Sequence, residues 1–313
     1  MAQYTTLTKK DIESILTPYG VKQIISFKIL NGGSENTNYQ VQTHGRTLVV
    51  TICELKTKKN ASELGLLLEH LAKSNFKTSK IIRTLDNELL TSWQGKPVMV
   101  KSFVKGTIIE QLPNDLITLV GSELGKLHKI AAPKYLQNHA NFGKQEFSNV
   151  KKYAPNSLFD SWLSQNLEYI QPFISSKLPQ GLIHADVFSS NVIINKLQDS
   201  AVIMDFEEAV KYYRVYDIGM TIIGICGEGV TINFEKVSAL LKGYQKELQL
   251  LDIEINALQA FTVYAGSAMT FWRHSHFNFI KPDPDFFDHY KSLQTLTDFV
   301  KQQPADCFVK LAR

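Results

Sequence analysis

Apolar residues recur along this chain with two periods, and the dominant period changes once. Residues 7–16 carry Ile12, Ile15 and Leu16 at helical spacing behind Thr8, a candidate N-cap, and Pro18 and Gly20 close that helix. Residues 24–30, 38–43 and 47–53 then alternate or run apolar, separated by the turn compositions NGGSENT and HGR, which predicts three antiparallel strands. A Leu-rich helix over 61–73 follows, and strand patterns resume at 80–85, 88–93 and 97–104. Past Lys105-Gly106 the pattern turns helical: 116–130 and 158–174 are amphipathic, with His128 on the apolar stripe of the first, and 234–248 and 255–274 continue the series. Only 181–183 and 191–205, with a turn at 196–200, interrupt it with strands. The expected fold is α+β in two lobes, a β-rich one over 1–104 and a mainly helical one over 105–313.

The chain's acid and amide side chains concentrate where those late strands end. His184, Asp186 and Asn191 make an H-x-D-x-x-x-x-N run, and Asp205-Phe206 closes the second apolar strand; order and spacing match the catalytic and metal-binding segments of kinases. Phosphoryl transfer needs metal ions to gather phosphates, backbone donors above them, and a group that takes the acceptor's proton. Asp186 suits the last task, and Asn191 and Asp205 offer the hard oxygens that Mg²⁺ selects. His184 reads as a brace for the loop, and Asp217, in YDIG, as an acid capping backbone amides. In the first lobe the loop holding Gly32, Gly33, Ser34 and Asn36 joins two strands and could bring backbone amides to the phosphates of ATP. Val49, Thr51, Lys101 and Phe103 are taken as nucleotide-facing positions on the strands behind it. Glu63 stands where kinases place the acid that pairs with a phosphate-binding lysine, yet Thr51 stands where that lysine should be.

Bulk properties narrow the alternatives. With 313 residues and 44% hydrophobic composition the chain can bury a core large enough to split in two. A net charge of +4 from scattered lysines gives little support to a nucleic-acid or anionic-membrane partner. The three cysteines lack metal or redox spacing, the N-terminus has no apolar signal-like run, and no apolar tract is long enough to span a bilayer, so a soluble, cytoplasmic protein is expected.

With those residues in view, the chain resembles the aminoglycoside phosphotransferase and choline kinase superfamily, small-molecule kinases with the protein-kinase fold, and most closely its type II homoserine kinases. The resemblance runs through YTTLTKKDIESIL, SENTNY, LVVTICE, ELGKLH, GLIHADVFSSNVII and the FW before PDPDFF. The lysine-free strand LVVTICE is itself similar to what those homoserine kinases carry. The resemblance implies ATP and Mg²⁺ as cofactors, Asp186 as catalytic base, and Asn191 and Asp205 as magnesium ligands. The acidic Asp205-Phe206-Glu207-Glu208 is closer to the broader phosphotransferase group, which leaves the acceptor open between homoserine and choline, ethanolamine or an aminoglycoside. Ala185, in place of the arginine many protein kinases carry there, argues against control by a phosphorylated loop. Glu207 and Glu208 are candidates to hold a substrate ammonium. Arg273, with His274 and His276 beside it, is a candidate to clamp a substrate carboxylate. A nucleotide-binding module without catalysis remains the alternative that Thr51 suggests.

Overall fold

In the computed structural model, which describes residues 5–30 and 36–313, the chain divides into two compact units at Gly106–Thr107. Unit 1 opens with α1 (Lys9–Leu16), capped by Thr8, whose hydroxyl accepts from the Asp11 amide while the Asp11 carboxylate accepts from the Thr8 amide. The strands β1 (Ser26–Leu30), β2 (Asn36–Gln42) and β3 (Thr47–Cys53) form an antiparallel meander. Then come α2 (Lys58–Lys73), capped by Thr57, and the strands β4 (Thr91–Trp93) and β5 (Lys96–Ser102), giving the sheet order β1-β2-β3-β5-β4.

Period-two alternation gives this sheet two unlike faces. Tyr39, Val41, Leu48, Val50, Ile52, Val98 and Val100 point into a core shared with Ile12, Ile15 and Leu16 of α1. The opposite face carries Asn38, Gln40, Val49, Thr51, Met99 and Lys101. The expected strand over 80–85 shrinks to one bridge, Ile81 to Lys101, flanked by the bonds Ile82 N–H to Val100 O and Ser102 N–H to Lys80 O. A turn closed between Thr84 and Asn87, with Asn87 in the left-handed region, bends the chain away before a ladder can form.

Unit 2 is mainly helical: α3 (Asn114–His128), α4 (Leu158–Ile170), α5 (Arg214–Ile225), α6 (Phe234–Glu247), α7 (Asp252–Ser275), α8 (His289–Gln302) and α9 (Ala305–Ala312). Three short antiparallel pairs sit among them, one of them the small hairpin of Gly227–Glu228 with Thr231–Ile232. β6 (Gln180–Ile183) pairs with β9 (Val210–Tyr213), and β7 (Val192–Ile194) with β8 (Ala201–Ile203). Because Ile183 lies opposite Val210 and Val192 opposite Ile203, the loops 184–191 and 204–209 leave paired strand ends and are brought together. No helix among the described residues is long and apolar enough to cross a membrane.

The helices α3 and α6 cross almost backbone to backbone. A Cβ on Gly243 would stand 2.0 Å from the Thr118 carbonyl oxygen, and one on Gly121 would stand 2.1 Å from that of Leu240. These atoms are backbone and cannot swing aside, so Gly243→Val should destabilise the fold by about 3 kcal/mol or more. The readout is a lowered urea midpoint at unchanged m-value, with Gly45→Ala, which has nothing within 4 Å of its new methyl, as the neutral control. A Gly243→Val midpoint equal to wild type would rule out the close crossing.

Candidate active site

The acids of unit 2 are set by one residue of α5. Asp217 is fully buried, and its carboxylate accepts from the His184 amide at 2.8 Å, the Ala185 amide at 2.7 Å and His128 Nε2 at 3.0 Å. Burial alone would raise its pKa; the His128 hydrogen bond and the His184 amide, both given to the carboxylate, outweigh burial and hold it below the usual carboxylate range. The Tyr244 hydroxyl sits 2.9 Å from His128 Nδ1, continuing the network into α6. Gripped at two successive amides, the chain turns through Ala185 at φ 66°, a strained conformation for a residue with a Cβ, and so presents Asp186. His184 lies beneath: its Nε2 is 2.7 Å from the Met204 carbonyl, which fixes the proton on Nε2 and leaves Nδ1 to accept from the Asp186 amide at 3.2 Å. Burial pushes the His184 pKa down, against the pull of Asp217, which keeps the ring neutral.

Asn191 locks to Asp186 from the far end of the same loop. Its Nδ2 donates to the Asp186 carbonyl at 2.8 Å and to Oδ2 at 3.0 Å, while its own carbonyl accepts from the Met204 amide at 2.8 Å. One residue on, Asp205 takes φ 65° and is exposed. The Asp186 pKa is pushed well above the usual carboxylate range by burial first, then by Glu208 and Asp205, with the Asn191 bond only partly opposing them. Such a crowd of acids invites a cation. No cluster of three or more His, Cys, Asp and Glu capable of holding a metal occurs among the described residues. A donor set of one carboxylate, Asp205, and one amide oxygen, Asn191, fits instead a hard divalent ion that completes its shell with phosphate oxygens and water.

Two groups complete this surroundings. Glu208 Oε2 accepts from Asn141 Nδ2 at 2.8 Å, and Asn141 in turn accepts from Gln137, whose carbonyl is tied to the Lys211 amide of β9. Arg273, near the end of α7, has its pKa lowered by burial and partly restored by the charge of Asp186; its Nη1 donates to the His289 carbonyl at 3.4 Å. Glu207 is half-buried. His274 turns the other way, stacked on Phe159 at 3.7 Å and edge-on to Tyr290, and His276 stacks on Trp272.

In unit 1, Val49, Thr51 and Lys101 lie on the sheet face away from the α1 core. Thr51 is buried and its hydroxyl donates to Asn38 Oδ1 at 2.7 Å. Asn36 is buried opposite Cys53, Phe103 follows β5 with its amide on the Thr47 carbonyl, and Glu63 on α2 meets Lys59 at 3.9 Å. Gly32, Gly33 and Ser34 lie outside the described residues. Sequence reading missed His128, Asn141 and Gln137. His128 left one signal, a titratable residue on an apolar stripe; the loop carrying the other two has no periodicity to read.

This is a protein-kinase-like, ATP-dependent phosphotransferase acting on hydroxyl acceptors, as its family and relatives show. The chain belongs to the phosphotransferase enzyme family, which residues 26–248 match. It is 30% identical over 280 residues to a protein named homoserine kinase from Rhizobium rhizogenes (strain K84 / ATCC BAA-868), covering 87% of this chain and 86% of that one. Among solved structures it is similar to a microcompartment-associated aminopropanol kinase, with a TM-score of 0.75 and 16% identity over 96% of this chain and 98% of that one. It is also similar to the amicoumacin kinase hAmiN in complex with AMP-PNP, Ca²⁺ and Ami, with a TM-score of 0.72 and 16% identity over 94% and 93% of the two chains.

The aromatic packing of His274 carries a pH signature. Burial lowers its pKa from 6.5 to about 4, so the unfolded chain binds more protons than the native one between those values. Its contribution to stability is complete above pH 6.5 and falls as the pH drops towards 4. His274→Phe, which keeps a ring in the stack, should flatten the pH dependence of the urea midpoint across that window; an unchanged slope would remove the assignment.

Proposed function

We propose that this chain transfers the γ-phosphoryl group of ATP to the terminal hydroxyl of homoserine, the step that commits it to threonine synthesis. The observation that carries the reading is the pairing of opposite charges about Asp186: burial first and then the Glu208 carboxylate raise its pKa, while the Arg273 guanidinium, its own pKa lowered by burial, senses its charge. An α-amino acid bearing a hydroxyl needs such a site. Arg273 would take the carboxylate in a two-pronged contact, Glu208, with Glu207 beside it, would take the ammonium, and the hydroxyl would reach Asp186. A choline- or ethanolamine-type acceptor has no carboxylate for Arg273 to meet. The relative named homoserine kinase adds support.

In this reading unit 1 holds the nucleotide through Asn36, Val49, Thr51, Lys101 and Phe103, with Glu63 behind them. Asn191 and Asp205 hold Mg²⁺, which when bound offsets charge on the phosphates. The acceptor oxygen attacks the γ-phosphorus, the bond from phosphorus to the β,γ-bridging oxygen breaks, ADP departs, and the hydroxyl proton passes to Asp186. Asn191 and the loop beneath keep Asp186 aimed at that proton. Its burial among other carboxylates makes it more basic than a free aspartate, and Arg273 keeps a positive charge nearby.

Purified protein with ATP and Mg²⁺ should release ADP faster with homoserine than with ethanolamine, choline or 1-amino-2-propanol; equal turnover across that panel would sink the carboxylate reading. Asp186→Asn should lower kcat about 10²- to 10⁴-fold with the fold intact by circular dichroism. Arg273→Met should raise the KM for homoserine about 10- to 100-fold, the size of one lost charge-assisted contact, and leave the KM for ATP unchanged.

A further inference from the structure

Resting on the reading of unit 1 as the nucleotide-binding unit, we infer that Lys101 supplies the phosphate-binding cation that the third strand lacks. In kinases that cation is a lysine on the third strand, held by an acid on the following helix. Here the position is Thr51, buried with its hydroxyl given to Asn38, and the helix acid Glu63 meets Lys59 on its own helix. The third strand therefore has no lysine to offer beside the metal, and a second cation for the phosphates would come from another place on the same sheet face.

The register of the sheet identifies that place. Thr51 lies directly opposite Asn38 on one side and Met99 on the other; Val49, two residues back and on the same face, lies opposite Gln40 and Lys101. Directly opposed residues share a face, so Lys101 is the diagonal neighbour of Thr51 across a single strand pairing. Diagonal neighbours stand roughly 7–8 Å apart, within reach of a long side chain. Lys101 is half-buried and makes no ion pair among the described residues.

The lysines nearby are less suited. Lys28 falls in the same cross-strand row, opposite Gln40, but on β1, two strands from Thr51 and exposed. At about 4.8 Å per strand its origin is twice as far away. Lys96 is engaged by Glu54 and by the Thr5 hydroxyl at 3.0 Å. α2 covers the Lys101 side of the face closely: a Cβ on Gly65 would meet Ile81 Cδ1 at 2.8 Å, and Ile81 is the bridge partner of Lys101. An ammonium on that half-buried stem would meet a phosphate oxygen with less competing water than one on the exposed Lys28.

The test needs no acceptor, so it is independent of which hydroxyl is phosphorylated. ATP and adenosine dissociation constants are measured by calorimetry for wild type, Lys101→Met, Lys101→Arg, Lys28→Met and the double variant Lys101→Met/Thr51→Lys. Lys101→Met should weaken ATP about 10- to 100-fold, the size of one charge-assisted contact, and leave adenosine within about twofold. Lys101→Arg and Lys28→Met should keep most of the ATP affinity, and the lysine restored at position 51 should recover part of the loss. ATP affinity unchanged in Lys101→Met, or ATP and adenosine weakened together, overturns the assignment. A wild-type chain that binds ATP while Lys101→Met binds it equally well overturns the lysine alone and leaves the kinase reading standing.

Discussion

The cluster in unit 2 depends on a single buried carboxylate. Asp217 has no exposed surface, and a charge in that position is tolerable only because three donors surround it. Two of those donors are successive amides at the end of β6, and they cannot both reach one carboxylate unless the chain turns sharply at Ala185. The strain at Ala185 and the charge at Asp217 therefore stabilise each other's geometry. Asp186 inherits its direction from that bargain, and Asn191 then fixes the rotamer of its side chain. The acids that make Asp186 basic would repel one another in an unsupported loop; here a hydrogen-bonded frame holds them together.

Much of this could be read from the residue order. The change from strand to helical periodicity near Gly106 carried the α+β, two-lobed architecture, because alternation on a half-buried sheet and a 3.6-residue stripe on a packed helix leave different marks. Asp186 and Asn191 are five residues apart, so a tight loop between strands brings them into contact with no distant part of the chain involved. Asp205 followed from the β-pairs, whose ends converge. The strand expected over 80–85 failed for a local reason: its alternation was real, but the Thr84–Asn87 turn withdrew the backbone donors a ladder needs.

What stayed hidden depends on contacts between residues far apart. Glu208 was visible as an acid, but not that Asn141, sixty-seven residues earlier, would hold its carboxylate. Arg273 stood among two histidines in FWRHSHFN, and periodicity could not say that the arginine would feel the charge of Asp186 while His274 turned into a stack of rings. Nor could composition tell a sheet face that packs on α1 from one that offers amides, hydroxyls and a lysine; only the register separates them.

The glycine crossing of α3 and α6 has a reach beyond packing. Tyr244 follows Gly243 directly, and its hydroxyl touches His128, which touches Asp217, which sets the turn before Asp186. The spacing of two helices is thereby translated into the aim of a proton acceptor. Variants that part those helices by a fraction of an ångström would fold and yet work poorly, so thermal stability and turnover should diverge as criteria when this scaffold is evolved or compared across growth temperatures.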